Sequence, residues 1–254
     1  MNRNHPMRNQ LPELEREKII GLATNSLISS DGIEAVKYLK SSKRHFDDQD
    51  ISYCIERFKL GYMPENTTNV HGDRHEYAGR LLMPLYDQHN RLVALSSRDW
   101  REDAFMPFMH ESYIKKNYLY GLNVAKENIL KNKNAIVVEG EFDVQYLHSH
   151  GFVNAVGCMC TILSLNQIAL LTRYCKELFV VFDGDDPGKK SLRKVLETAN
   201  SYNFSIYGID IVPVILPPKK DPDDYIYENG ADAFLQLLRK ARKDKNQTIE
   251  EFFK

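Results

Sequence analysis

Two stretches of this chain couple a buried-type strand to a cluster of carboxylates. Ala135-Ile136-Val137-Val138 runs into Glu139, with Asp143 four residues on, and Leu178-Phe179-Val180-Val181-Phe182 runs into Asp183, Asp185 and Asp186. A continuous apolar run of that length reads as a strand covered on both faces, the pattern of a parallel sheet. Acids at the carboxyl ends of such strands sit where an open α/β sheet gathers its functional groups. Carboxylates crowded there repel one another unless a cation bridges them, and hard oxygen donors suit Mg²⁺ or Mn²⁺. The pattern therefore predicts divalent-metal chemistry on a phosphoryl group.

A third group reinforces the first two. Lys219-Lys220-Asp221-Pro222-Asp223-Asp224 follows the apolar segment ending near Leu216. A single acid after a strand is more economically read as a helix cap or turn residue. Three such groups, each after an expected parallel strand, favour a metal site. Strands are expected at 135–139, 152–156, 178–183 and 206–214, with helices at 141–149, 165–175, 186–201 and 230–243. That alternation implies βαβ units. Gly140 removes a side chain where the chain turns sharply, and Pro187 suits the first turn of a helix. Lys189 and Lys190 fit a phosphate contact and a solvated helix face equally well.

The first half has a different period. Leu11, Leu14, Ile19, Leu22 and Leu27 recur at helical spacing, and two further helices are expected, capped by Asp31 and by Asp48 or Asp50. Residues 80–86 and 91–95 read as two strands joined by a turn at Asp87-Gln88-His89-Asn90. Residues 99–126 show no clear period, and residues 1–10 are expected to fray. The domains expected are 1–134, a smaller mixed α+β subdomain, and 135–243, an α/β domain on a parallel sheet, with 244–254 as a polar tail.

Bulk properties exclude rather than assign. The 254 residues carry a net charge of −1, which gives no whole-molecule signal for nucleic acid. Cys54, Cys158, Cys160 and Cys175 form no C-x-x-C pair. Cys158-Met159-Cys160 reads as buried thiols before it reads as a ligand pair. No leader or membrane-spanning run is visible, so a cytoplasmic location with reduced thiols is expected.

The stretches Ile136–Asp143, Val181–Asp185 and Asp221–Asp223 together resemble the TOPRIM domain, the Rossmann-like metal-binding fold of bacterial DnaG-type primases, topoisomerases and several nucleases. The primase branch is the nearest in pattern. Tyr53–Gly61, Arg80–Asp87 with Asn90–Arg98, and Lys115–Leu122 resemble successive segments of the primase polymerase core. The resemblance covers about residues 48–243 and implies a nucleotidyltransferase that makes short RNA primers on single-stranded DNA from nucleoside triphosphates, in DNA replication. It implies Glu139, Asp143, Asp183, Asp185, Asp221 and Asp223 as metal ligands, with Glu139, Asp183 and Asp185 catalytic. It also implies Arg80, Arg98 and Lys115 as basic residues facing template or nucleotide. Tyr118 and Tyr120 read as packing residues.

Primases of this type also use a zinc ribbon and a helicase-docking domain. With no cysteine before Cys54, those roles are expected to fall to a separate zinc-ribbon protein and a replicative helicase. A phage source would suit so compact a core, placing it in a bacterial cell or an infected host. Two other classes share the acids: a metal-dependent nuclease, and a non-catalytic DNA-binding adaptor. The upstream primase-like segments argue against the nuclease, whereas the intact acids, with neither a zinc site nor a helix-hairpin-helix visible, argue against the adaptor. A topoisomerase would need a tyrosine nucleophile in a further domain.

Overall fold

The computed structural model describes residues 10–160, 162–204 and 208–253. The chain forms two compact units, 1–113 and 114–254, so the division falls between Tyr113 and Ile114 rather than at residue 134. The frayed segment expected at the start lies, but for Gln10, outside the described residues.

The first unit begins with three helices, α1 (Glu13–Leu27), α2 (Ile33–Leu39) and α3 (Asp48–Phe58). The cap of α3 is Asp47, one residue ahead of the expected pair. Its side chain accepts from the Asp50 N–H at 2.8 Å while Asp50 accepts from the Asp47 N–H at 2.9 Å, so both orphan donors are satisfied reciprocally. Asp31 does not cap α2; it lies in a 3-10 turn whose cap is Ser29. Four strands follow, β1 (Gly61–Met63), β2 (Arg80–Tyr86), β3 (Leu92–Arg98) and β4 (Phe108–His110), in one antiparallel sheet of that order. The β2–β3 turn forms as its residues require. Asp87 Oδ1 accepts from the His89 and Arg91 N–H groups at 2.8 and 3.0 Å, and Asn90 takes the left-handed conformation. At Gly61 a Cβ would lie 2.6 Å from the Ala23 carbonyl carbon, so only glycine lets β1 approach α1 this closely.

The second unit contains the alternating elements: α4 (Leu122–Asn132), β5 (Asn134–Val138), α5 (Glu141–Ser149), β6 (Ala155–Gly157), α6 (Leu165–Leu171), β7 (Glu177–Val181), α7 (Asp186–Ser201), β8 (Asp210–Val214), α8 (Pro222–Asn229) and α9 (Ala231–Phe253). Its four strands form a parallel sheet in the order β6-β5-β7-β8. Val137, Val156, Leu178 and Val180 lie in a core with Leu192, Val195 and Leu196 of α7, which explains the unbroken apolar runs. Pro213, which donates no hydrogen bond, is confined to β8 at the sheet edge. The strand expected at 206–214 begins at Asp210; residues 206 and 207 lie outside the described residues. Residues 244–253, expected as a tail, continue α9. Among the described residues no helix is long and apolar enough to cross a membrane.

Candidate metal centre

Parallel pairing makes the carboxyl ends of β5, β7 and β8 neighbours, and each is followed by acids. Glu139 directly follows β5. Asp183 lies two residues beyond β7. Asp221 caps the helix after β8. The loops are shaped by the acids themselves. Asp143 Oδ2 accepts from the Gly140 N–H at 3.0 Å, Asp185 Oδ1 from the Gly188 N–H at 2.7 Å, and Asp221 Oδ1 from the Asp224 N–H at 2.9 Å. Helix capping and cation binding are thus not alternatives here; the caps hold the carboxylates in fixed orientation.

Asp143, Asp221 and Asp223 converge. Each offers a carboxylate oxygen, and these oxygens lie within 4.8 Å of one another. Asp223 is 1% and Asp143 7% exposed. Asp183 stands beside this triad electrostatically. Burial above all, then the charges of Asp143, Glu139, Asp221 and Asp185, push its carboxyl up to about 8. Burial also raises Glu139, with Asp185 adding to the rise and the Asp183 N–H, 3.4 Å from Glu139 Oε1, opposing it. A donor set of closely spaced, largely buried carboxylates that drives its neighbour towards protonation is one that a hard divalent cation fits. Of the six acids expected as ligands, three form the close triad, while Glu139 and Asp183 border it. Asp185 is exposed at the N-terminus of α7 and reaches the others through its charge.

Two glycines that sequence reasoning passed over, Gly184 and Gly188, hold these loops together. A Cβ on Gly184 would lie 2.0 Å from the Pro217 carbonyl oxygen, and the Gly184 N–H donates to the Lys220 carbonyl at 2.7 Å. The loop after β7 is thereby laced to the loop carrying Asp221. A Cβ on Gly188 would lie 2.1 Å from the Asp183 carbonyl oxygen. The available signal was the D-G-D-D-P-G string, in which both glycines flank acids.

The basic residues divide. Lys115, half-buried in a 3-10 turn (Lys115–Asn117), has its Nζ 3.5 Å from the Met159 carbonyl, in the loop that also donates the Met159 N–H to the Glu139 carbonyl at 2.9 Å. Arg98, in the first unit, lays its guanidinium over the Phe108 ring at 4.1 Å. Arg80, expected to face template or nucleotide, is only 6% exposed. Its donors go to Ser97 Oγ at 2.8 Å and to the Met106 and Pro107 carbonyls at 2.9 and 3.2 Å, with Asp99 at 3.7 Å. That is the arrangement of a brace within the first unit. Tyr120 is buried, as expected, and its hydroxyl accepts from Gln145 at 2.6 Å. Lys189 and Lys190 are exposed on α7. A cavity of about 480 Å³ elsewhere in the unit, lined by Asn134, Phe152, Phe179, Leu238 and Arg242, includes none of the acids.

Comparison with known proteins agrees with this geometry. A Toprim-like family model matches residues 136–226, which contain all six acids. The DNA primase of Aquifex aeolicus is 30% identical over an alignment covering 86% of this chain and 49% of that protein. This chain spans about half or less of the length of the curated relatives it matches. The crystal structure of the Aquifex aeolicus primase zinc-binding and RNA polymerase domains superposes with a TM-score of 0.73 at 27% identity, covering 88% of this chain and 59% of that one. A DnaG primase catalytic domain bound to single-stranded DNA shares the fold with a TM-score of 0.71 at 23% identity, covering 90% and 83%. The chain is thus related to bacterial DNA primases over most of its length, and its second unit carries a Toprim-like domain.

Proposed function

We propose that the chain is a primase catalytic core that joins nucleoside triphosphates into short RNA primers on single-stranded DNA. The observation that carries this reading is the convergence of Asp143, Asp221 and Asp223 at the sheet edge where Glu139 and Asp183 also lie, in a chain whose relatives are primases. Asp143, Asp221 and Asp223 hold Mg²⁺ or Mn²⁺, with Glu139, Asp183 and Asp185 as bordering ligands. A bound divalent ion supplies charge neutralisation on the triphosphate and on the departing pyrophosphate. Glu139 receives the proton of the attacking 3′-hydroxyl on its carboxylate, a task favoured by the raised proton affinity that burial gives it. Lys115 and Arg98 supply positive charge to phosphate or template, whereas Arg80 serves them indirectly by bracing its own unit. The second unit is the metal-binding domain, and the first is the polymerase-core subdomain that meets template. A zinc-ribbon protein and a replicative helicase complete the system in the cytoplasm of a bacterial cell or an infected host.

The test is primer synthesis from single-stranded template, ribonucleotides and Mg²⁺ or Mn²⁺, with and without helicase. Short RNA from the wild type, lost in Glu139→Ala and Asp183→Ala, is the expected result. Equal synthesis by the variants would remove the metal-site assignment. No RNA under any condition would remove the primase reading, and cutting of labelled nucleic acid without nucleotides present would put a nuclease in its place.

A further inference from the structure

The two thiols of Cys158-Met159-Cys160 have no part in the proposed reaction, yet they occupy the loop after β6 that is fastened to the metal centre. The Met159 N–H donates to the Glu139 carbonyl at 2.9 Å and the Cys158 N–H to the Val138 carbonyl at 3.0 Å. Gln167 Nε2 holds the Cys158 carbonyl at 2.9 Å. Met159 adopts a left-handed conformation, φ 56°, which turns the chain between the cysteines. Two residues of extended chain span about 7 Å, and a turn shortens that into the usual disulfide range of about 4.4–6.8 Å between Cα atoms. The sulfurs are already folded towards each other's backbone. Cys158 Sγ is 2.9 Å from the Cys160 carbonyl, and Cys160 Sγ is 3.1 Å from the Cys158 carbonyl and 3.0 Å from that of Ile162.

The pair is chemically unequal. Cys158 is fully buried and Cys160 half-buried. The Cys158 thiol, together with the Lys115 charge and the Ile162 and Gln167 contacts, lowers Cys160 to about 7 against the opposing effect of burial. The hydrogen bond to Cys160, together with burial, raises Cys158. An accessible, acidic thiol beside a shielded one is the arrangement of an attacking and a resolving cysteine.

We propose that Cys158 and Cys160 form a redox-modification site, oxidised by a low-molecular-weight disulfide to an intrachain disulfide that alters the backbone at Glu139. The Cys160 thiolate attacks glutathione disulfide, forming a mixed disulfide and expelling one glutathione thiolate, which takes up the proton released by Cys160. The Cys158 sulfur then attacks Cys160 Sγ, forming the Cys158–Cys160 bond and expelling the second glutathione, which takes the Cys158 proton. Two protein thiols lose two electrons in total, and one glutathione disulfide becomes two glutathione thiols. The thiol chemistry stands apart from the proposed polymerase; only the consequence at Glu139 rests on the metal-site reading.

The experiment incubates the folded full chain with glutathione disulfide, counts free thiols and maps disulfides by mass spectrometry. Loss of two of the four thiols, with a Cys158–Cys160 linkage, is expected. Cys158→Ser should stop at one glutathione on Cys160, and Cys160→Ser should keep its remaining thiols. Four intact thiols in the wild type, while a control dithiol is oxidised, or oxidation unaffected by Cys160→Ser, would overturn the site. A second measurement compares Mn²⁺ affinity of the reduced and oxidised chains by thermal shift. A weakening of about 10-fold on oxidation, reversed by dithiothreitol, supports the link to Glu139. Equal affinity overturns that link. Absence of Mn²⁺ binding in the reduced chain overturns both the link and the metal reading, and is recognised because the thiol count would still fall by two.

Discussion

Glu139 accepts a hydrogen bond from the Asp183 backbone N–H across the ends of adjacent strands β5 and β7, with 3.4 Å between nitrogen and Oε1. The contact fixes one carboxylate by the backbone of the residue that carries another. Replacing Glu139 therefore removes a charge and also loosens the position of Asp183. Glu139→Gln, which keeps an acceptor, is expected to retain Asp183 geometry and lose primer synthesis by 10²-fold or more, about the scale of a positioned proton acceptor. Glu139→Ala should additionally weaken Mn²⁺ binding. Single-turnover synthesis and Mn²⁺ titration of the two variants separate these effects.

Asp183 makes stability depend on pH when no cation is present. Its proton is held up to about 8 in the folded chain, against a usual 3.8. Between about pH 4 and pH 8 the folded chain binds the proton that the unfolded chain has released, so stability falls as pH rises through that window. In EDTA the urea midpoint should be higher at pH 5 than at pH 8. With saturating Mn²⁺ the trend should reverse, because the ion binds deprotonated carboxylates. Asp183→Asn should flatten the EDTA profile.

Gly184→Ala tests whether the loops after β7 and β8 must touch. The added Cβ would lie 2.0 Å from the Pro217 carbonyl oxygen, a backbone atom that cannot swing aside. A loss of about 1–3 kcal/mol, typical of overpacking, should appear in denaturant unfolding, with Mn²⁺ affinity reduced because Asp221 is displaced. An exposed glycine such as Gly72, which has nothing within 4 Å but a positive φ of 83°, offers a control in which any loss is conformational and leaves Mn²⁺ affinity unchanged.

Arg80→Ala should fail by stability. The guanidinium ties together Ser97, Met106 and Pro107, so its removal leaves buried acceptors unsatisfied, at about 1–3 kcal/mol for each group so exposed. Arg80→Lys should recover little, since one ammonium cannot reproduce the guanidinium fork. Lys115→Ala should do the opposite, weakening nucleotide or template binding with little change in the thermal midpoint. Both are read by thermal unfolding alongside primer synthesis.

Glu111→Ala is expected to be the most damaging change in the first unit. Glu111 has no exposed surface; it accepts from the Leu11 N–H at 2.9 Å and the Leu95 N–H at 2.8 Å, and Arg16 lies 3.6 Å away. Removing one partner of a buried pair costs about 3–5 kcal/mol. Glu111→Gln keeps an acceptor for a backbone donor and should cost less. Equilibrium denaturation checks the order.

The legible parts of the sequence were those where one local rule settles the outcome. A strand buried on both faces must be apolar throughout, so Leu178–Phe182 announced β7 and made Asp183 conspicuous. Helices α5 and α7 carried their boundaries in Gly140 and Pro187, while Asp185, read only as a ligand, is also the cap of α7. The illegible parts depend on distant partners. β4 is three residues long and exists because Ser96–Arg98 pairs with it. Phe152, expected inside the strand of β6, instead precedes it and meets Phe234 of α9 edge-on at 4.8 Å. Helix α4 was missed because its N-cap is Gly121 in a left-handed conformation, with no side-chain cap to mark it. Arg80 reads, by the family resemblance, as a residue facing template or nucleotide, because the sequence shows a basic side chain and not its partners; the carbonyls that bury it lie on a later loop. At the candidate metal centre the acids were legible one by one, while their division into a close triad and its neighbours depends on side-chain placement that spacing does not encode.

The order β6-β5-β7-β8 also bears on when the proposed ion site would be completed during synthesis. Asp221 and Asp223 follow β8, which comes after β5, β6 and β7 in chain order and forms an edge of their sheet. A nascent chain that has released β5, β6 and β7 from the ribosome holds Glu139, Asp143 and Asp183, but two of the three triad carboxylates have not yet been made. On the metal reading proposed above, cation affinity is therefore acquired late: it requires β8 to have docked, and a translation product ending before Asp221 would lack two of the three triad carboxylates.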